Sequence, residues 1–341
     1  MTLEIVKPGL STTIQDLGRP GYFHLGIPEG GAMDRLAFRA ANLLVGNDEG
    51  AAGLEAVFLG PEIKFGAEMS VAVTGADMPI LLDGEPRETW TSFTVKPGQV
   101  LSFGFLKTGA RIYIAVSGGI ATEPALGSRS TYPIGALGGF EGRAIAAGDV
   151  VPVGEGAIVA EGRTVPEDLR RRPGTPAELR ALPGLYWHRL TEKSQKAFFD
   201  DDWVVAPEAD RMGYRFRGGQ PMEFVDRPQP FGAGSDPSNI VDGCYSYGSI
   251  QVPGGLEPIV LHRDAVSGGG YFTLGAVISA DMDLIGQLQP NTPVKFKRVE
   301  MDEALAARAE RKAMIEKIRQ VLAFEVTDGQ KGPQAENVTI L

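Results

Sequence analysis

Gly248-Ser249-Ile250-Gln251-Val252-Pro253-Gly254-Gly255-Leu256-Glu257-Pro258-Ile259-Val260-Leu261 is the stretch that decides the fold class. Two short apolar runs flank a Pro-Gly-Gly turn, and both proline and glycine are disfavoured in helix interiors. The stretch therefore predicts two strands joined by a glycine turn. The same grammar recurs elsewhere. Ile112, Ile114 and Val116 alternate with Tyr113 and Ala115, the period of a strand. Val71 and Val73 begin another strand, and Asp83-Gly84 after Ile80-Leu81-Leu82 is a hairpin signal. Val294, Phe296 and Arg298 alternate with Lys295 and Lys297. The chain holds 45 glycines and 24 prolines in 341 residues, about a fifth, where average usage is roughly 12%. A 43% hydrophobic content argues against disorder. No Gly-X-Y period suggests collagen, and the surplus argues against a helix bundle. The reading is a mainly β protein, with two domains suggested by length.

Outward from there, the chain divides. Residues 1–153 read as strands and turns with one helix, from about Ala32 to Val45, whose stripe is Met33, Leu36, Ala37, Ala40, Leu43 and Leu44. Residues 154–184 read as a linker, dominated by Pro166, Pro173, Pro176, Pro183 and the charged run Glu167 to Arg172, with Arg170-Arg171-Arg172 on a solvated face. Residues 185–300 form a second β-rich block. Residues 301–324 form a C-terminal helix with Ala304, Ala307, Met314, Ile318 and Val321 on one face. Residues 325–341 read as a polar tail.

The net charge of −10 makes nucleic acid an unexpected partner, since phosphate backbones need clustered Lys and Arg. The single cysteine, Cys244, fits a reducing compartment and reads as a core residue. The N-terminal Met1-Thr-Leu-Glu-Ile-Val-Lys-Pro lacks a signal-peptide core. The longest uncharged stretch, Ala265 to Ala280, is too short for a membrane span. A cytoplasmic protein away from membranes is expected. His24, His188 and His262 are scattered, so no metal site is expected. No Gly-Lys dipeptide, hence no P-loop, occurs, nor does a GxGxxG or GxSxG motif.

Chemistry concentrates in glycine-flanked polar clusters. In Asp16-Leu17-Gly18-Arg19, a carboxylate three residues before an arginine suggests a rigid ion pair. Gly127-Ser128-Arg129-Ser130-Thr131 gathers hydroxyls and a guanidinium suited to phosphate or carboxylate. Three more are Asp210-Arg211-Met212-Gly213, Gly232 to Asp242 with Ser238 and Asn239, and Arg263-Asp264 through Gly268-Gly269-Gly270-Tyr271. A triple glycine lets backbone N–H groups approach a ligand, or makes a close strand crossing.

Five segments carry a family resemblance: Val6-Lys7-Pro8-Gly9 through Gly21-Tyr22; Gly31-Ala32-Met33-Asp34; Leu126 through Thr131; Asp210-Arg211-Met212-Gly213; and Ile250-Gln251-Val252-Pro253 through Tyr271. In order and content they resemble the KipA family, also called allophanate hydrolase subunit 2 or the 5-oxoprolinase C-subunit, a biotin-dependent carboxyltransferase family. The resemblance implies two tandem cyclophilin-like β-barrels, over 1–153 and 185–300. It implies a KipI-like partner, the 5-oxoprolinase B-subunit. With a third protein of the LamB/YcsF type, such a pair opens 5-oxoproline to glutamate at the expense of ATP, whose site can lie on a partner. The same units fused resemble the carboxyltransferase of urea carboxylase, which works with biotin carboxylase and with biotin on a separate carrier. Val266-Ser267-Gly268-Gly269-Gly270-Tyr271-Phe272 departs from the Thr-Thr-Gly-Gly-Tyr-Pro of the 5-oxoprolinase pattern, and Pro237 to Asp242 is closer to the urea carboxylase arm. The substrate stands between a lactam and a urea-like amide. KipA-like proteins also suggest a non-catalytic regulatory module.

On this resemblance the expected roles are these. Asp210 serves as hydrogen-bond acceptor or general base, Arg211 steadies an anion, and Asp264 is a second acid/base group. Ser238, Asn239, Gln251 and Tyr271 contact the substrate, and Gly268, Gly269 and Gly270 offer backbone donors. Asp16, Arg19, Ser128 and Arg129 shape the first barrel or a partner interface.

Overall fold

Strand Thr108–Val116 explains the first half of the chain. Its Ile112, Ile114 and Val116 enter one core while Tyr113 and Ala115 enter another on the opposite face. Such a strand must lie inside a sheet covered on both sides. It pairs with Gly53–Val57 and Met69–Asp77, in a five-stranded sheet completed by Thr12–Gln15 and Ser92–Val95. A six-stranded sheet, containing Thr2–Lys7, Glu62–Phe65, Val100–Phe103 and Ile80–Leu82, packs against it. Leu3, Ile5, Ile63, Phe65, Ile80 and Leu101 meet Val71, Val73 and Ile112 in one shared core. The other face of the five-stranded sheet is covered by helix α1, Arg35–Leu44. Asp34 caps α1 by accepting a hydrogen bond from Ala37 N at 3.0 Å, so the helix starts later than Ala32. The structure is a computed structural model that describes residues 1–323; the polar tail read at 325–341 lies outside the described residues.

The second half closes on itself. Seven strands run round a barrel in the order Ala177–Pro183, Thr273–Val277, Ser249–Gln251, Ile259–Leu261, Gly213–Arg217, Trp203–Ala209 and Pro293–Arg298. The last pairs in parallel with the first. The opening hairpin of the sequence reading is present, with Ile250 opposite Val260 and Gln251 opposite Ile259. Leu179, Trp203, Phe216, Val260, Phe272 and Phe296 fill the interior, each worth roughly 1.5–3 kcal/mol of burial. Helix α2, Glu192–Asp200, capped by Thr191, lays Phe198 on Phe296 at 4.7 Å between ring centroids. Beside the barrel stands a two-stranded ribbon, Asn239–Cys244 paired with Gly268–Tyr271.

The linker reading needs correction at two places. Ala177–Pro183, inside the expected linker, is a barrel strand whose Ala177, Leu179 and Ala181 point inward. The arginine run is not a solvated face: Arg171 pairs with Asp281 at 2.7 Å, and Arg170 pairs with Glu167 and lies over Trp90. Short helix α3, Met282–Ile285, precedes the last barrel strand. Helix α4, Met301–Val321, then returns to the first half. There Ile315, Ile318 and Leu322 join the core under α1, and Arg311 reaches Asp283 at 2.5 Å. Among the described residues no helix is long and apolar enough to cross a membrane.

Candidate active site between the two halves

Arg211 follows strand Trp203–Ala209 and is turned inward by its neighbour. Asp210 Oδ1 accepts from Met212 N at 2.7 Å and Gly213 N at 3.1 Å, closing a tight turn. Arg211 then donates from Nε to Asp264 Oδ2 at 2.8 Å and from Nη2 to Asp264 Oδ1 at 3.0 Å, a two-point pair. Nη1 reaches Glu55 of the first half at 2.6 Å, and Nη2 reaches Gly31 O at 2.8 Å. Burial alone would lower the guanidinium's pKa, but Asp264 and Glu55 outweigh it and hold it above the ordinary value. Glu55 also accepts from Met33 N at 2.9 Å. Arg111 lies 3.7 Å from Glu55 and donates to Tyr214 OH in the barrel. The two halves are thus joined by a buried ionic seam.

Next to the seam opens a cavity of about 470 Å³, bounded by Arg19, Phe23 and Glu29 of the first half and Tyr245, Tyr247 and Arg263 of the second. Arg263 lies over the Tyr247 ring at 4.0 Å and donates to Glu29 at 2.9 Å. Glu29 also takes Arg35 at 3.0 Å. Burial, and then neighbouring Arg263, lowers the Arg35 pKa to about 10, so it stays charged at neutral pH. His262 is buried at the cavity wall, and burial followed by Arg263 pushes its pKa well below the usual imidazole value. It is a neutral ring: Nδ1 accepts from Arg263 N at 3.0 Å, leaving Nε2 to donate to Met282 O at 3.1 Å. Burial pushes the Tyr247 phenol up to about 12, so it is a hydroxyl donor. Arg19 Nη1, Arg263 Nε and Tyr247 OH are buried and have no hydrogen-bond partner among the described residues.

A second cavity, of about 450 Å³, is lined by Asp210, Met212, Arg215, Gln251, Ile259 and Val266. Ala265 and Val266 line both cavities.

The candidate residues therefore separate into groups. Asp210 and Gln251 line the second cavity, and Arg19 lines the first. Arg211 and Asp264 meet each other: every nitrogen of the guanidinium is engaged, and both Asp264 oxygens accept from it. The anticipated Asp16–Arg19 ion pair does not form. Asp16 instead accepts from Ser128 Oγ at 2.6 Å, Arg129 N at 2.6 Å and Gly18 N at 2.7 Å, and also from Ser130 Oγ. Arg19 instead donates to Ser130 O. The hydroxyls of Ser128 and Ser130 are thus no external anion site, because their anion is Asp16 of the same chain. Ser238, Asn239, Gly268, Gly269, Gly270 and Tyr271 collect at the ribbon and line neither cavity. Ser238 Oγ is buried and accepts from Gly254 N at 2.9 Å. The glycines permit close strand approach: a Cβ at Gly268 would stand 3.0 Å from Gly243 O, and one at Gly270 3.1 Å from Ile240 O. Cys244, expected in the core, is exposed at the rim of the first cavity.

Glu29, Glu55, Tyr247, His262 and Arg263 escaped the sequence reading. Arg263 stood in a glycine-flanked cluster in which its neighbour Asp264 carried the expected chemistry. Tyr247 sat in an aromatic run that read as core.

The family model for the carboxyltransferase domain, subdomain A and B, matches residues 25–298. The chain is 34% identical over 321 residues to the 5-oxoprolinase C-subunit of Haemophilus influenzae, spanning 94% of this chain and 98% of that protein. It is 32% identical to urea amidolyase of Saccharomyces cerevisiae, over 99% of this chain and 18% of that protein. The crystal structure of Kluyveromyces lactis urea carboxylase superposes with a TM-score of 0.86 at 30% identity, covering 98% of this chain and 31% of the other.

Proposed function

Because the chain belongs to the carboxyltransferase family of subdomains A and B, we propose that it is one component of an enzyme complex that opens 5-oxoproline to glutamate with ATP. The observation that carries this reading is the match to a 5-oxoprolinase C-subunit over 98% of that protein's length. Family membership supports an enzymatic role, and the name of that relative supports partner proteins. The partners proposed are a KipI-like protein and a LamB/YcsF-type protein, in a hetero-oligomer in the cytoplasm.

Asp210 is the group best placed to act as a base, since it is exposed at the second cavity and its Oδ1 alone is engaged in the turn. It would accept a hydrogen bond or proton from the amide N–H, beside Gln251. Arg211 and Asp264 hold the seam that keeps Asp210 in register, in place of touching substrate. Neither cavity is lined by a lysine and the sequence has no P-loop, so the ATP site is assigned to a partner.

A second reading has its own support. The urea carboxylase structure overlays 98% of the chain, and the stretch Pro237 to Asp242 resembles that arm. On it the complex carries a carboxyl group from biotin, held on a separate carrier, to an amide nitrogen. Mixing the chain with its KipI-like and LamB/YcsF-type partners, or with biotin carboxylase and carrier, separates the readings. ATP hydrolysis that depends on 5-oxoproline supports the first, and carboxylation of urea the second. Tight partner binding with neither activity supports a regulatory module.

A further inference from the structure

Two guanidinium groups, of Arg19 and Arg263, line the first cavity with a single carboxylate, Glu29, to which a third guanidinium, of Arg35, is also paired. Glu29 pairs with Arg35 and Arg263 and leaves Arg19 out. Arg19 is 1% exposed, and its acceptors are the neutral carbonyls of Ser130 and Ala125. The nearby carboxylates are committed elsewhere, Asp16 to the Ser128 and Ser130 hydroxyls and Asp264 to Arg211. A buried cation without a facing anion is costly unless something compensates it. Arg19 Nη1, Arg263 Nε and Tyr247 OH are three buried donors with no hydrogen-bond partner among the described residues. Stacking of Arg263 on Tyr247 at 4.0 Å fixes the plane of that guanidinium. The remaining wall is apolar and aromatic, from Phe23, Tyr245 and Val266.

We infer that this cavity is a carboxylate-binding site for a small lactam acid, with Arg19 and Arg263 as the recognising groups. The inference rests on the amide-processing reading and deepens it, because it selects the anionic substrate over a neutral urea. It seats the acid in the first cavity, so the base role of Asp210 then requires the two cavities to communicate at Ala265 and Val266, the residues they share. Planar guanidinium forks match a carboxylate. A phosphate site would be expected to add lysine, a helix N-terminus or a nest of backbone N–H groups. A neutral amide would leave the cationic excess uncompensated. At about 470 Å³ the cavity lies within the range of roughly 300–1,000 Å³ usual for small-molecule sites.

The test is calorimetry on the full chain mixed with its KipI-like partner, using 5-oxoproline, its neutral carboxamide and 2-pyrrolidinone, which lacks the carboxylate. The acid binds about 10- to 100-fold tighter than either neutral analogue. Arg263→Gln removes that preference. Arg19→Gln does the same if it folds, and Arg263→Gln alone decides the matter if it does not. Equal affinity for acid and neutral analogues, a preference that survives Arg263→Gln, or no binding of the acid overturns the inference. Turnover separates it from the functional reading. A complex that hydrolyses ATP with 5-oxoproline and keeps its KM in Arg263→Gln overturns the site alone. A complex inert toward 5-oxoproline that still prefers the acid through Arg263 overturns the functional reading alone.

Discussion

Arg211 and Asp264 are joined by two hydrogen bonds, of 2.8 and 3.0 Å, and the same guanidinium reaches across to Glu55 at 2.6 Å. One residue of the barrel thereby ties an adjacent barrel loop to the central sheet of the first half. None of the three lines a cavity, but their chain neighbours Asp210 and Met212 line the second and Arg263 and Ala265 the first.

Arg211→Met should be costly, because it leaves Asp264 buried without its cation and Glu55 with only the more distant Arg111, at 3.7 Å. Breaking a buried pair costs about 3–5 kcal/mol. Urea denaturation measures it, and a loss under about 1 kcal/mol would contradict the role of the seam. Adding Glu55→Gln to Arg211→Met should cost less than the sum of the two single changes, since they act on one network.

Asp16 is the hub beneath the Ser128–Thr131 loop. In Asp16→Asn an amide N–H₂ replaces one of two accepting oxygens, and faces either Arg129 N or the Ser128 and Ser130 hydroxyls. A buried group left unsatisfied costs about 1–3 kcal/mol. The midpoint of denaturation reads it, and a variant as stable as the parent removes Asp16 from this role.

Asp34 makes stability depend on pH. Burial, and then neighbouring Asp283, raises its carboxyl from the usual range to about 7. Between the ordinary carboxylate range and about 7 the folded chain holds a proton that the unfolded chain has released. The contribution of Asp34 is therefore complete at low pH and is lost as pH rises through about 7. The slope reaches at most about 1.4 kcal/mol per pH unit. Denaturation series from about pH 5 to about pH 8 on the parent and on Asp34→Asn should differ in slope, with the variant flatter. Parallel curves would contradict the assignment. Asp283, Arg35, Arg311 and Gln287 face or flank this group, so the comparison must be of slopes.

Much of the fold was legible, and for a physical reason. The alternation at Ile112 to Val116 reports a strand with both faces buried, and the Pro-Gly-Gly turn reports a hairpin. Ala177–Pro183 was hidden by the prolines beside it, although Ala177, Leu179 and Ala181 alternate with Glu178 and Arg180. The barrel architecture came from the family resemblance, since closure depends on which strands become neighbours. The site was harder to read. Arg211 meets Glu55 from 156 residues away, and Ser128 meets Asp16 from 112 away. Composition shows that such groups exist but not which of them satisfy one another. The Ser128–Thr131 hydroxyls therefore looked like an open anion site, and Arg263, though inside a quoted cluster, drew no role beside Asp264.

Asp210→Asn tests the proposed base. The amide keeps an acceptor for Met212 N and Gly213 N, so stability should change by under about 0.5 kcal/mol at this exposed turn. Turnover of the assembled complex should fall by about 100-fold or more. Near-normal turnover would remove Asp210 as a base.

The central claim meets its most direct test in reconstitution. The chain is combined with its KipI-like and LamB/YcsF-type partners, and ATP hydrolysis and glutamate release are followed with and without 5-oxoproline. The account predicts hydrolysis that requires 5-oxoproline and all three proteins, with glutamate released as ATP is consumed. Complete assembly without 5-oxoproline-dependent hydrolysis would contradict it.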